Sequence, residues 1–250
     1  MLAEPQWSRI FGAAKRRGAK WSDLADVNAF KREVEGALDL AQREDQPHAT
    51  DLAAFFDYMR AGRLLGPKLS DQEVQGCKAI IAACTDWPVA WTAYALATAY
   101  HETAGTMQPI KEYGGPAYFR RRYDIEGSNP ALARRLGNTA PGDGVKFAGR
   151  GYVQLTGRDN YARAQEKLGV PFVGNPDLAL EPGHAAAIMR RGMEERWFTG
   201  KGLRDYLPEL GPATHAQFKE ARRIINGTDR AAEIATYAIE FQKALGAQAK

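Results

Sequence analysis

The sequence predicts a mainly α fold, and three observations carry that prediction. Apolar residues recur at helical spacing through most of the 250 residues. Polar caps, prolines and glycines punctuate those runs at their ends. Only one short stretch, near residues 147–156, reads as β structure. Hydrophobic content of 44% with 26% charged residues is ordinary for a globular chain, so a folded core is expected rather than disorder. A chain of this length has room for one or two domains.

Residues 1–66 read as an N-terminal helical segment and residues 67–250 as the main domain. In the first, LADVNAFKREVEGALDLAQRE sets Val27, Phe30, Val34, Leu38 and Leu40 near helical spacing, and TDLAAFFDYMRAGRLLG does the same for Leu52, Phe55, Phe56, Met59 and Leu64. The polar EDQPHAT connects them, with Thr50 as an N-cap and Gly62 and Gly66 as stops. This segment is either an extension packed on the main domain or a separate binding module.

After Pro67, Ser70 and Glu73 match a capping box ahead of Val74, Cys77, Ile80, Ile81 and Cys84. TDWP breaks that helix, and Pro88 suits the first turn of the next. From Val89 to Ala99 the run is apolar almost all round, so this helix should be central. It delivers His101 and Glu102 at its C-terminal end.

From Thr106 to Gly151 the chain is rich in Gly, Pro, Asn and Tyr with little periodicity, and long irregular connections in compact domains are usually functional. Aromatics between Tyr113 and Tyr152, Tyr123 among them, argue for order, and their faces suit the CH surfaces of sugar rings. This stretch is expected to form the wall of a cleft. Helix returns over residues 161–170 and in HAAAIMRRGMEERWF, where Ala186, Met189, Met193 and Trp197 share a face. Two last helices, THAQFKEARRIIN and TDRAAEIATYAIEFQKAL, are separated by Gly227, with Thr228 as N-cap.

Composition excludes several classes. Lys+Arg 34 against Asp+Glu 30 leaves a net charge of +4, a modest attraction to polyanions, and the basic residues are interspersed with acids rather than gathered into a nucleic-acid-binding stripe. Cys77 and Cys84 lie in one helical run roughly 10 Å apart along its axis, too far for a disulfide, and read as buried thiols. His48, His101, His184 and His215 are dispersed, with no CxxC or HExxH spacing, so no metal is expected. MLAEPQWSRIFGAAKRRGAKW scatters charges among its apolar residues, so no secretory signal is expected, and no window approaches a membrane span.

The chemistry-bearing residues cluster in two places. Glu102 closes an apolar helix, a setting that favours the neutral carboxyl a proton donor needs. KFAGRGYVQLTGRDNY gathers Gln154, Thr156 and Asn160 within a few residues, a strip of neutral donors and acceptors. An acid facing such a strip suits hydrolysis of a sugar polymer. His101 is assigned to orienting Glu102 or a neighbouring backbone group.

The order AYHETAG, the RRYD region, GNTAPGDGVKFAGRGYVQLTGRDNY and RRIING resembles glycoside hydrolase family 19, which contains plant-type chitinases and many phage endolysins. The resemblance covers about residues 70–245, and its RDNY ending is similar to the phage lysin branch. It implies a lysozyme-like α-helical domain with a substrate cleft and an inverting acid/base mechanism without metal or organic cofactor. On the matching positions it implies Glu102 as general acid, Thr156 as the hydroxyl that helps hold the attacking water, Gln154 and Asn160 as the polar strip of the cleft and Asn226 as a substrate-binding residue; His101, Tyr113 and Tyr123 are further substrate-binding candidates.

For the second carboxylate, Glu112 is the preferred base and Asp124 the alternative. The plant-type spacing points to Asp124, the lysin-like spacing to Glu112 in PIKEYGG, and Glu126 is the third choice. An inverting pair stands roughly 6.5 to 9.5 Å apart. Ten residues of continuous helix rise roughly 15 Å, so a Glu112 base requires the chain to turn after Glu102. AGT and Pro109 allow that turn.

The resemblance further implies an endolysin cleaving β-1,4 bonds between N-acetylated amino sugars of peptidoglycan, with a chitinase as the alternative and an inactive carbohydrate-binding or virion structural protein as a reading of another class. The partner expected is the peptidoglycan glycan strand, with no nucleic acid and no stable membrane insertion, and residues 1–66 become a candidate wall-binding module. A monomer made in the bacterial cytoplasm and released to the wall by a holin completes the expectation.

Overall fold

The computed structural model describes residues 50–62 and 64–246. The expected helix over residues 27–40, the connector after it and most of the proposed N-terminal segment lie outside them.

The mainly α class is borne out. Among the described residues the helices are α1 (Leu52–Ala61), α2 (Asp71–Ala83), α3 (Val89–Glu102), α4 (Pro116–Tyr123), α5 (Pro130–Arg135), α6 (Asp143–Lys146), α7 (Arg158–Leu168), α8 (Pro182–Glu194), α9 (His215–Ala221) and α10 (Ala231–Leu245). Short 3-10 turns at Pro176–Leu180, Leu203–Asp205 and Arg222–Ile224 join them. The β content is one two-stranded antiparallel ladder of β1 (Ile110–Lys111) and β2 (Arg150–Gly151).

Helix α3 is central, as its all-round apolar pattern requires. Every residue from Ala90 to Ala99 is buried. Its most extensive neighbour is α10, and α2 packs against another side. Helix α1 belongs to the same core: Phe55, Phe56 and Met59 are buried in it, and Phe55 stacks on Phe241 of α10 at 6.4 Å. The part of the N-terminal segment that is described is therefore packed on the main domain.

Capping follows local chemistry, with two departures from expectation. The Ser70–Glu73 capping box is present in both directions, at 2.7 and 3.2 Å. Asp51 rather than Thr50 caps α1, accepting from the backbone N of Ala53 and Ala54, since a carboxylate is the stronger acceptor at a helix N-terminus. The last helix starts at Ala231 without a side-chain cap, its chain entering through Arg230 at φ 53°, so Thr228 lies outside it.

The stretch 106–151 is less irregular than its sequence. Helices α4, α5 and α6 are four to eight residues long, too short for a 3.6-residue period to emerge, and Pro116 and Pro130 stand at the starts of two of them. They enclose a second small core in which Phe119, Tyr123 and Ala148 are buried against Leu132, Leu136 and Val145. Cys77 and Cys84 are buried free thiols, each pushed up to about 12 by burial.

The turn required after Glu102 exists. Thr103 Oγ1 donates to Ala99 O at 2.8 Å and accepts from Met107 N at 3.0 Å, while Ala104, Gly105 and Met107 adopt positive φ. The reversed chain is clamped from two sides. Tyr152 OH donates to Met107 O at 3.3 Å, and buried Gly76 of α2 lies so close that a Cβ there would overlap the Met107 carbonyl.

Gly76→Ala should therefore destabilise the protein by about 1–3 kcal/mol, although alanine normally favours a helix interior. Denaturant unfolding measures it, and an unchanged or raised midpoint would show that the turn does not press on α2.

Candidate active site

The β ladder sets the first half of the site. Ile110 pairs with Gly151 and Lys111 with Arg150, and the register continues one step further, with Glu112 N donating to Gly149 O at 2.8 Å. On the other side of the same strand the chain returns through a turn in which Gln154 takes φ 53°. Leu155 then pairs with Arg150 in both directions, at 2.8 and 3.2 Å. Gly149 thus lies in the middle segment, with Glu112 arriving from one side and Thr156 from the other.

Because position 149 has no side chain, three polar groups converge there. A Cβ on Gly149 would stand 3.0 Å from Gln154 Oε1 and 3.1 Å from both Glu112 Oε2 and Thr156 Oγ1. Glu112 Oε2 also accepts from Gly149 N at 3.2 Å, and its Oε1 accepts from Tyr123 OH at 2.9 Å. Gln154 Nε2 donates to Ile110 O and Gly151 O, which turns its Oε1 toward the cluster. Thr156 Oγ1 spends its proton on Gln154 O at 2.8 Å, leaving its lone pairs as acceptors. Asn160 Nδ2 donates to Thr156 O at 2.7 Å, fixing the start of α7 beneath it.

Arg150 anchors the middle segment. Its buried guanidinium reaches Asp177 Oδ1, Lys146 O, Ala148 O and Tyr161 OH at 2.7 to 3.1 Å. Four acceptors around one buried cation compensate its desolvation and hold the backbone of the ladder still.

Glu102 is built from a different part of the chain. Its Oε1 accepts from Arg222 Nη1 at 2.8 Å, and the Arg222 side chain is 2% exposed against 20% for Glu102. Arg222 reaches this position because Tyr94 OH of α3 donates to Ala221 O at 2.8 Å, tying the end of α9 to the central helix. Its Nε donates to Asp229 O. Sequence reasoning expects a purely apolar setting for Glu102, and the structure instead gives it a buried guanidinium. Oε2 of Glu102 has no hydrogen bond among the described residues, so it is the oxygen open to a ligand.

The remaining expected residues divide. Asp124, one of the positions open for the second carboxylate, is buried, and its Oδ2 accepts from the backbone N of Gly142 and Gly144 at 2.8 and 3.1 Å. It ties the end of α4 to the first turn of α6. Glu126 is exposed, its own backbone N donating to Asp124 Oδ1. Tyr123 is 9% exposed with its hydroxyl committed to Glu112, so it supports a side chain rather than a sugar. Tyr113, 83% exposed beside Glu112, remains free to meet a ring. Asn226 is exposed one turn beyond Arg222, its backbone N donating to Arg222 O. His101 is half-buried, and Arg222, not His101, orients Glu102.

Arg150 and Arg222 are functional supports that sequence reasoning misses. Both stand in the GRG and RRIING blocks, but a sequence gives no sign that a particular arginine will be buried. Among the described residues no cluster of three or more His, Cys, Asp or Glu side chains could hold a metal ion.

No family model matches the chain. A glycosyl hydrolase family 19 domain-containing protein of Haemophilus influenzae is 34% identical over 87 residues, covering 31% of this chain and 44% of that protein. The match thus spans less than half the length of this relative. Among solved structures, chitinase C from Streptomyces griseus HUT6037 superposes with a TM-score of 0.52 at 20% identity, covering 80% of this chain and 77% of that one. A mutant of chitinase C gives 0.51 at 19% identity with the same coverage. The shared fold bears out the helical, lysozyme-like class, and the curated relative supports the family 19 resemblance over its 87 matched residues.

The Glu102–Arg222 pair makes an asymmetric prediction for stability. Glu102→Ala strands a buried cation and should cost about 2–3 kcal/mol, somewhat below the value for a fully buried pair because Glu102 keeps some water contact. Glu102→Gln retains an acceptor and should cost clearly less. Urea unfolding of both variants checks this, and equal midpoints would contradict it.

Proposed function

We propose that this chain is a glycoside hydrolase that cleaves β-1,4 bonds between N-acetylated amino sugars by an inverting acid/base mechanism, with bacterial peptidoglycan as its polymer. The observation that carries the reading is the convergence of Glu112 Oε2, Thr156 Oγ1 and Gln154 Oε1 about Gly149. A water that donates one proton to Glu112 Oε2 and the other to Thr156 Oγ1 keeps a lone pair free for the anomeric carbon. Glu112 takes the first proton as the new C–O bond forms. Glu102, oriented by Arg222, gives a proton to the leaving glycosidic oxygen through its open Oε2 as the old bond breaks. One proton is received and one delivered, so no cofactor is needed to balance the step. Gln154 and the exposed Asn226 and Tyr113 supply amide and aromatic contacts for acetamido sugars.

The wall polymer is favoured over chitin by two features. The net charge of +4 attracts an anionic wall and gains nothing from neutral chitin. The cysteines of the described chain are buried free thiols, as suits synthesis in a reducing cytoplasm. This reading makes the protein a phage-type endolysin acting as a monomer after holin-dependent release to the wall. The chitinase reading rests on the fold shared with chitinase C.

The test is turbidity loss and fragment mass spectrometry on purified peptidoglycan beside colloidal chitin. Glu102→Gln and Glu112→Gln should each lower hydrolysis by about 100-fold or more. Asp124→Asn should lower stability while leaving activity per folded molecule near wild type. Loss in Asp124→Asn with activity kept in Glu112→Gln would overturn the assignment of the base. Cleavage of chitin alone would reject the wall substrate, and cleavage of neither polymer would leave a carbohydrate-binding or virion structural protein.

A further inference from the structure

The carboxylate of Glu112 is not held by the ladder alone. Behind it runs a directed chain of hydrogen bonds from α4: Arg122 Nε donates to Tyr123 OH at 3.0 Å, and Tyr123 OH donates to Glu112 Oε1 at 2.9 Å. The direction is fixed by chemistry. A guanidinium has donors only, so the Tyr123 oxygen must accept from it, and the single phenolic proton is left for Glu112. Arg122 is itself held in place, its guanidinium carbon 5.8 Å from the Tyr118 ring centroid and 5.3 Å from that of Tyr123. The Tyr123 ring is fixed in turn, stacked on Phe119 at 6.5 Å within the second small core.

We propose that Tyr123, polarised by Arg122, is a positioning residue for Glu112: it reserves Oε1, so that Oε2 is the oxygen left to take the proton of the water at Thr156. This rests on the reading of Glu112 as the base and deepens it. A carboxylate has two oxygens and a rotatable bond between them and the chain. Without a fixed donor on Oε1, either oxygen can turn to Gly149 N, and the water is no longer aligned. Burial and the hydrogen bond to Glu112 push the Tyr123 phenol up to about 12, so it keeps its proton, and its role as donor, throughout the range in which a glycosidase works. The second core thereby acquires a purpose, since its packing aims one hydroxyl.

Two measurements test the proposal, one of them independent of turnover. The first is the carboxyl carbon resonance of Glu112 in protein labelled at glutamate Cδ, identified by its disappearance in Glu112→Gln. The proposal expects it to move in Tyr123→Phe and, by less, in Arg122→Ala, while Arg122→Lys restores part of the difference. A signal unmoved in Tyr123→Phe overturns the proposal whatever the enzyme does.

The second is kcat and KM on soluble glycan strands released from peptidoglycan. Tyr123→Phe should lower kcat about tenfold or more with KM nearly unchanged, and Arg122→Ala should have little further effect when Tyr123 is already Phe. Additive losses, or a loss confined to KM, would mean that the pair merely supports the fold or contacts the sugar, and would overturn it. Wild-type protein that cleaves nothing refutes the proposed function and leaves the resonance to decide the contact.

Discussion

Everything in the proposed water site depends on three side-chain oxygens crowding over one glycine. At Gly149 the middle segment of a short ladder has neighbours on both sides, and their side chains lean over it from opposite directions. Hydrogen-bond register decides which residues meet: one step past the last formal pair brings Glu112 to position 149, and one step past the Arg150–Leu155 bridge brings Thr156. A methyl group there would push against all three oxygens at once. Two-residue strands contribute almost nothing to stability by themselves. Their work is geometric, and buried Arg150, with its four acceptors, supplies the rigidity they lack.

Glu102 is placed by a separate device. Helix α3 is buried from Ala90 to Ala99, and Tyr94 on that helix fastens the turn that carries Arg222. The two devices are joined by the tight reversal at residues 103–107, whose carbonyl is pinned by Tyr152 from the ladder side and crowded by Gly76 from α2. Core helices, reversal and ladder therefore form one continuous path along the chain from Glu102 to Glu112. Irregular backbone carries the reacting groups, and the regular helices hold it still.

Much of this is legible in the sequence, for identifiable reasons. Helix α3 announces itself by an unbroken apolar run, α2 by its capping box, and the ladder by a glycine-bounded β stretch, because each is a local pattern. Glu102, Glu112, Gln154, Thr156 and Asn160 stand out through the order of their motifs. What stays hidden depends on distance along the chain. Nothing near Glu102 foretells a partner 120 residues later. The backbone N–H groups that close on Asp124 come from residues 18 and 20 positions later, and Tyr123 reads as a sugar-facing aromatic until its hydroxyl is seen on a carboxylate. The helices of the 106–151 stretch escape because a period cannot show in one or two turns.

The central claim is that a water held by Glu112 and Thr156 attacks directly, opposite the leaving oxygen, with no covalent sugar on the protein. Proton NMR of the first product formed from soluble β-linked glycan strands, recorded before mutarotation, reads the outcome from the anomeric doublet. The account predicts that the α anomer appears first and then equilibrates. A product that appears first as the β anomer would mean two displacements in succession, and would contradict a water activated by Glu112 and Thr156 over the glycine between them.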